Sequence, residues 1–106
     1  MKKLAGIFVL LLATLAIAQE KSVLTVKDSS VATGVVIVDA QYSGKAVELQ
    51  CNQGSAACAP LKKGNYVMVM LPKNHGMYDC QNVDIYPESA DPETTEKLGE
   101  YCLNTR

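Results

Sequence analysis

The chain has no tryptophan, one phenylalanine (Phe8) and one histidine (His75) among its 106 residues. Stacking platforms in sugar clefts are usually aromatic, so the absence of tryptophan weakens that reading. A lone histidine makes a weak metal site, since metal centres draw on several convergent ligands. Basic charge is also not in excess: 10 Lys and Arg face 11 Asp and Glu, for a formal charge of −1. That balance lacks the basic stripe of a nucleic-acid binder. No C-x-x-C pair is present, and no internal repeat or linker divides the chain. Beyond residue 18 no segment shows a 3.6-residue apolar period, which excludes a helical bundle. The 48% hydrophobic content excludes a disordered acidic tail.

Residues 1–18 have the three parts of a secretory signal. Lys2 and Lys3 give a positive start, residues 4–15 an apolar run, and Ala16, Ile17 and Ala18 a small-x-small cleavage pattern. The run is shorter than the ~20 residues of a membrane-spanning helix and is followed at once by Glu20 and Lys21. Cleavage after Ala18 is expected, with no lipid anchor, because no cysteine stands at the cut. The expected mature domain, residues 19–106, then has 88 residues. It loses two basic side chains and no acidic one, which brings its formal charge to −3. Its core must be built from valine, leucine, methionine and tyrosine.

Cys51, Cys58, Cys80 and Cys102 are an even set in a chain bound for an oxidising compartment. Intervals of six, twenty-one and twenty-one residues do not match zinc knuckles, so two disulfides are expected. Of three possible pairings, Cys51 with Cys58 and Cys80 with Cys102 is favoured, because the short loop closes early and leaves the later pair to each other. On a loop-entropy estimate such bridges contribute roughly 2.5 and 3.5 kcal/mol, comparable in sum to the ~5 kcal/mol of a marginal domain.

Six β-like runs are separated by turn residues. They fall at residues 22–27, 34–42, 45–51, 66–71, 82–86 and 98–104. The first alternates weakly, as an edge strand does, and Asp28, Ser29 and Ser30 are expected to break it. Val35 to Val38 form a continuous apolar run, as in a strand buried on both faces. Val47, Leu49 and Cys51 share one side of the third strand. Residues 87–97 are polar, with two prolines, and read as a long surface loop with room for one helical turn. The fold class is an all-β sandwich or small barrel.

Four features invite a functional reading. His75 has Asp79 and Asp84 in its vicinity, but it lies in a turn with no serine or free thiol placed to serve as nucleophile. Eleven carboxylates always contain some pair at the spacing of a glycoside hydrolase, although most lie in loop segments. On the fourth strand both faces are apolar, with Tyr66, Met68 and Met70 on one side and Val67, Val69 and Leu71 on the other. A face not covered by the domain would be a partner surface, and methionine is over-used at such surfaces. Tyr66, Met68 and Met70 are therefore the candidate interaction face. The five tyrosines (Tyr42, Tyr66, Tyr78, Tyr86, Tyr101) offer a weaker glycan-binding alternative.

The stretch from Leu49 to Leu103 resembles a set of small secreted bacterial proteins of uncharacterised function. The resemblance rests on Cys51, Cys58, the Leu61-x-x-Gly64-x-Tyr66 step, Asn82-Val83-x-Ile85-Tyr86 and Gly99-Glu100-Tyr101-Cys102. It implies a shared disulfide-bonded scaffold and supplies no activity. The sequence thus predicts an exported, periplasmic or extracellular, non-catalytic domain that binds a protein partner through a sheet face or edge. No cofactor, metal, nucleic acid or membrane anchor is expected. A small carboxylate hydrolase is the reading from another class.

Overall fold

The structure, a computed structural model, describes residues 21–73 and 75–105; the expected signal peptide lies outside them. Six strands follow one another: β1 (Lys21–Ala32), β2 (Val35–Tyr42), β3 (Lys45–Asn52), β4 (Gly64–Met70), β5 (Gln81–Tyr86) and β6 (Gly99–Thr105). They close into an antiparallel barrel in the order β1, β2, β3, β6, β5, β4 and back to β1. Of the two architectures left open by the sequence, the barrel is the one formed. It consists of two three-strand meanders joined edge to edge.

Local chemistry explains most of this. Two-residue turns close the first meander at Thr33 and Gly34 and at Ser43 and Gly44, all with positive φ. That is the geometry whose twist matches a right-handed hairpin. Strict alternation then directs Leu24 and Val26, Val36, Val38 and Ala40, and Val47, Leu49 and Cys51 to the interior. Met68, Val83, Ile85 and Tyr101 complete the same core from the second meander. The valine-rich strand is covered on both sides only in part. Val36 and Val38 are fully buried, whereas Val35 and Ile37 are half-buried on the outer face.

The first strand departs from expectation. Asp28, Ser29 and Ser30 do not end β1; it runs on to Ala32, and the register shifts between Val26 and Asp28. A bulge absorbs one extra residue and bends the strand without ending its ladder to β2. Pairing with β4 does stop there, at Val26 opposite Gly64. Beyond that point β1 is paired only with β2.

Because β3 and β4 are not neighbours in the barrel, residues 53–63 must cross its end. The Cys51–Cys58 disulfide ties the start of this crossing, with 5.6 Å between Cα atoms. Buried Leu61 fills the barrel mouth, and its backbone N–H donates to Ser29 Oγ at 3.2 Å. Tyr101, with no exposed surface, donates its hydroxyl to the Ala59 carbonyl at 2.6 Å. The Glu100 N–H donates to the Ala57 carbonyl at 2.9 Å. The second disulfide, Cys80–Cys102, joins the residue before β5 to β6, with 5.9 Å between Cα atoms. Both pairs are the favoured ones, and the described residues hold no free cysteine.

Met68 is 1% exposed and sits within the core. Met68→Asp should therefore destabilise the domain by roughly 4 kcal/mol or more, since a carboxylate there has no partner. Met68→Leu conserves volume and should cost less than about 1.5 kcal/mol. Urea unfolding followed by circular dichroism measures both.

Candidate functional site

The Tyr66, Met68 and Met70 face is not a surface. Met68 belongs to the core, and Tyr66 and Met70 are half-buried and pack against it from the same side of β4. This corrects the expected interaction face: it points into the barrel. The opposite face is apolar because it too is shielded. Val69 is 4% exposed, and Val67 borders a cleft of about 210 Å3 with Val23, Ser89 and Ala90. Ser89 and Ala90 belong to the β5–β6 connection, residues 87–98, which leans over this side. One turn within it is capped by Asp91, whose Oδ1 accepts the Glu93 N–H at 3.0 Å and whose carbonyl accepts the Thr95 N–H at 2.9 Å.

The outer face of β5 and β6 holds the main polar cluster. Asn82, Asp84 and Glu100 are all buried, and Asp84 is paired directly with Glu100 across the ladder. Lys97, brought in by the end of the connection, lies 3.2 Å from Asp84 Oδ1 and 3.4 Å from Glu100 Oε1. The second Glu100 oxygen accepts the Met77 N–H at 2.6 Å. Asn82 accepts the Tyr78 N–H at 3.0 Å and donates to the Tyr78 and Cys80 carbonyls at 2.7 and 3.1 Å. Gly76 is required here: its φ is +107°, and a Cβ would fall 2.4 Å from Asn82 Cγ and 2.7 Å from Glu100 Oε2. Among the described residues no buried side-chain polar atom lacks a partner. These contacts fasten residues 76–80 and 87–98 onto the barrel wall. Their geometry is that of a clamp, with its carboxylates turned to protein groups.

The sequence offered a signal for this cluster that alternation concealed. Asn82, Asp84 and Tyr86 alternate with Val83 and Ile85, a pattern that does not say whether the polar side is covered from outside. Tyr86 is 9% exposed and Asp84 8%, because two connections fold over them. Glu100 and Lys97 lay in the segment read as loop and terminal strand.

The other candidates are dispersed. His75 is exposed, and its backbone N–H donates to the Pro72 carbonyl at 3.0 Å. Among the described residues no group of three or more His, Cys, Asp or Glu is placed to hold a metal ion. The tyrosines form no exposed patch. Tyr101 is interior, Tyr86 is buried, and Tyr42, Tyr66 and Tyr78 are half-buried. Tyr66 donates its hydroxyl to the Lys62 carbonyl at 2.6 Å, and Tyr78 Oη accepts the Asn52 N–H at 3.1 Å.

What remains open is the free edge of β1. Residues 28–32 have a β2 partner at every position and no strand on their other side among the described residues. Asp28, Ser30, Val31 and Ala32 on this edge are exposed, and Val31 retains 45% of its surface. A cleft of about 280 Å3 opens beside the bulge between Lys27, Asp28, Asp39, Ala40, Ala46 and Val47. The described residues thus form a disulfide-stapled, six-stranded antiparallel barrel in which the far half of β1 pairs on one side only. No protein-family model matches it, and no curated protein or solved structure matches it either.

Three groups tie stability to alkaline pH. Burial raises the Tyr101 pKa, with Tyr66 and Tyr78 adding to it. Burial also raises that of Tyr86, helped by Asp84 and opposed by Lys97. For Lys97, burial works against the ammonium, but Asp84 and then Glu100 outweigh it, and its pKa is raised. In each case the folded state holds its proton more tightly than the unfolded chain. Their contribution is complete below the unfolded values, about 10 to 10.5, and is lost as pH rises through the higher folded values. Thermal unfolding should show no loss from these groups up to about pH 9.5 and a steady fall above pH 10. Tyr101→Phe should flatten that fall and cost about 1 kcal/mol at neutral pH.

Lys97→Met leaves two adjacent carboxylates without their cation. The change should cost about 1–3 kcal/mol in urea unfolding, the lower end reflecting the partial exposure of Lys97. Adding Asp84→Asn should recover part of the loss, because it removes the like-charge pair.

Proposed function

We propose that the chain is an exported, non-catalytic binding module that takes up an extended segment of a partner protein along the free edge of β1. The observation that carries this reading is the single-sided pairing of the largely exposed residues 28–32 in a closed barrel. Closure removes edges, so an edge that persists is available for strand addition. Main-chain bonds would give affinity, and Val31 with its neighbours would give selectivity. Five residues direct two or three N–H and C=O pairs outward, or roughly four to six hydrogen bonds at ~1 kcal/mol each. Association costs of about 4–15 kcal/mol exceed that sum, so side-chain burial at Val31 must add to it. The polar character of Asp28, Ser29 and Ser30, together with the bulge, discourages indiscriminate edge-to-edge association.

Export is supported by the two disulfides, which belong to an oxidising, non-cytoplasmic environment, and by the signal-like residues 1–18. No helix among the described residues is long and apolar enough to cross a membrane. The compartment would be periplasmic or extracellular. The resemblance to small secreted bacterial proteins fits the same reading. Its pattern falls on the crossing, the clamp and both disulfides, which supports a shared scaffold. A carboxylate hydrolase has less support, since the adjacent pair, Asp84 and Glu100, is engaged by Lys97 and the Met77 N–H.

Consecutive strand residues direct their N–H groups to opposite sides, so proline at Ser30 and at Val31 separates edge from ladder. One variant removes a donor to β2 and should be unstable. The other removes an edge donor and should stay folded. In crosslinking pull-downs from envelope and medium fractions, the folded variant should lose a discrete partner that the unaltered protein captures. A partner kept by the folded variant contradicts the edge reading.

A further inference from the structure

The methionines differ sharply in exposure. Met68 is 1% exposed within the core, and Met70 is half-buried and packs against that core. Met77 retains 52% of its surface and, alone among the described methionines, lies outside a strand. Its backbone is nevertheless held. The Met77 N–H donates to Glu100 Oε2 at 2.6 Å, and the next amide, of Tyr78, donates to Asn82 Oδ1 at 3.0 Å. None of these backbone bonds passes through the thioether, so the side chain can change chemically while the segment stays fastened to the barrel wall.

The sulfur is not alike on its two sides. Ser55 Oγ donates to Met77 Sδ across 3.6 Å. Ser55 belongs to the short loop closed by Cys51–Cys58, and that loop fixes it. Its N–H donates to the Asn52 carbonyl at 2.9 Å, and its carbonyl accepts the Cys58 N–H at 3.3 Å. Ser55 Oγ also accepts the Ala57 N–H at 3.3 Å, which takes up an oxygen lone pair and leaves the hydroxyl proton for the sulfur. A thioether sulfur has two lone pairs. The one turned to Ser55 is hydrogen-bonded and screened by the loop, and the other is left for an oxidant arriving from solvent.

We propose that Met77 is a sulfoxidation site for peroxide-class oxidants, at which Ser55 screens one side of the sulfur so that one sulfoxide epimer predominates. The free lone pair attacks one oxygen of the peroxide, and the O–O bond breaks. With hydrogen peroxide, that oxygen stays on sulfur, and the proton it carried passes to the departing hydroxide, which leaves as water. Sulfur gives up two electrons and the peroxide takes them. The product is polar and chiral, a change that disrupts a core but is accommodated where half of the side chain stands in water. Each epimer is repaired by its own class of methionine sulfoxide reductase, so the screening by Ser55 also decides which class restores the thioether.

The test treats the purified exported protein with graded hydrogen peroxide, with peptide mass mapping at each step and near-ultraviolet circular dichroism as the fold readout. Met77 should gain one oxygen at least about tenfold faster than Met68 or Met70, with the native spectrum kept. Oxidation of Met68 or Met70 first, or loss of the spectrum as Met77 is oxidised, overturns the site. The Met77 peptide is then divided between the two epimer-specific reductases. One should reduce most of it and the other little. Equal reduction by both overturns the role given to Ser55. Ser55→Ala provides a second check: its Met77 peptide should be reduced more evenly by the two enzymes, and an unchanged bias would equally overturn that role.

Discussion

The structure depends on a single topological demand. In a ring ordered β1, β2, β3, β6, β5, β4, the third and fourth strands stand apart, and the chain must span the barrel mouth between them. A connection there would expose backbone polar groups to an apolar interior unless each were satisfied. The sequence meets this with a tyrosine hydroxyl on the Ala59 carbonyl, a strand amide on the Ala57 carbonyl, a serine oxygen on the Leu61 N–H, and a disulfide at the start. Leu61 then plugs the mouth. Tyr101 accordingly supplies ring volume to the core and a polar tip to the crossing, which is the combination tyrosine offers at a boundary.

Closing the barrel has a second consequence on its outer wall. A domain without phenylalanine or tryptophan among its described residues has little apolar bulk, and much of β5 and β6 outside the barrel is covered by irregular chain instead. Irregular chain brings unpaired amides and carbonyls, so the strands beneath it carry Asn82, Asp84 and Glu100 rather than valines. Lys97 offsets the two carboxylates, and Gly76 gives the backbone its close approach. Such a network is weak evidence for extra stability but strong evidence for a single arrangement of the two connections.

All six strands, both disulfides and the composition of the core were legible in the sequence, because alternation, turn residues and cysteine spacing are local signals. The misreadings came where a long-range event decides. Asp28, Ser29 and Ser30 look like a strand break, and only the ladder with β2 shows that they continue past a bulge. The burial of Asn82, Asp84 and Tyr86 has no local signal, since it depends on the folding back of two connections. Tyr66, Met68 and Met70 could not be assigned inside or outside, because both faces of β4 are apolar and alternation alone carries no sign. Weak alternation points to an edge strand at residues 22–27, whereas the longer single-sided stretch is residues 28–32, because it is set by where β4 stops.

Functionally, residues 28–32 pair only with β2 among the described residues, and the proposed strand addition rests on that. Residue-resolved amide hydrogen exchange on the partner-free protein tests that claim most directly. Along residues 24–26, paired on both sides, every amide should be strongly protected. Along residues 28–32, protection should alternate, with the outward amides exchanging near the unprotected rate and the β2-facing ones slow. Uniform protection of residues 28–32 would mean that the edge is already covered, and uniform fast exchange would mean that this half of β1 is not a strand. Either result would contradict the account.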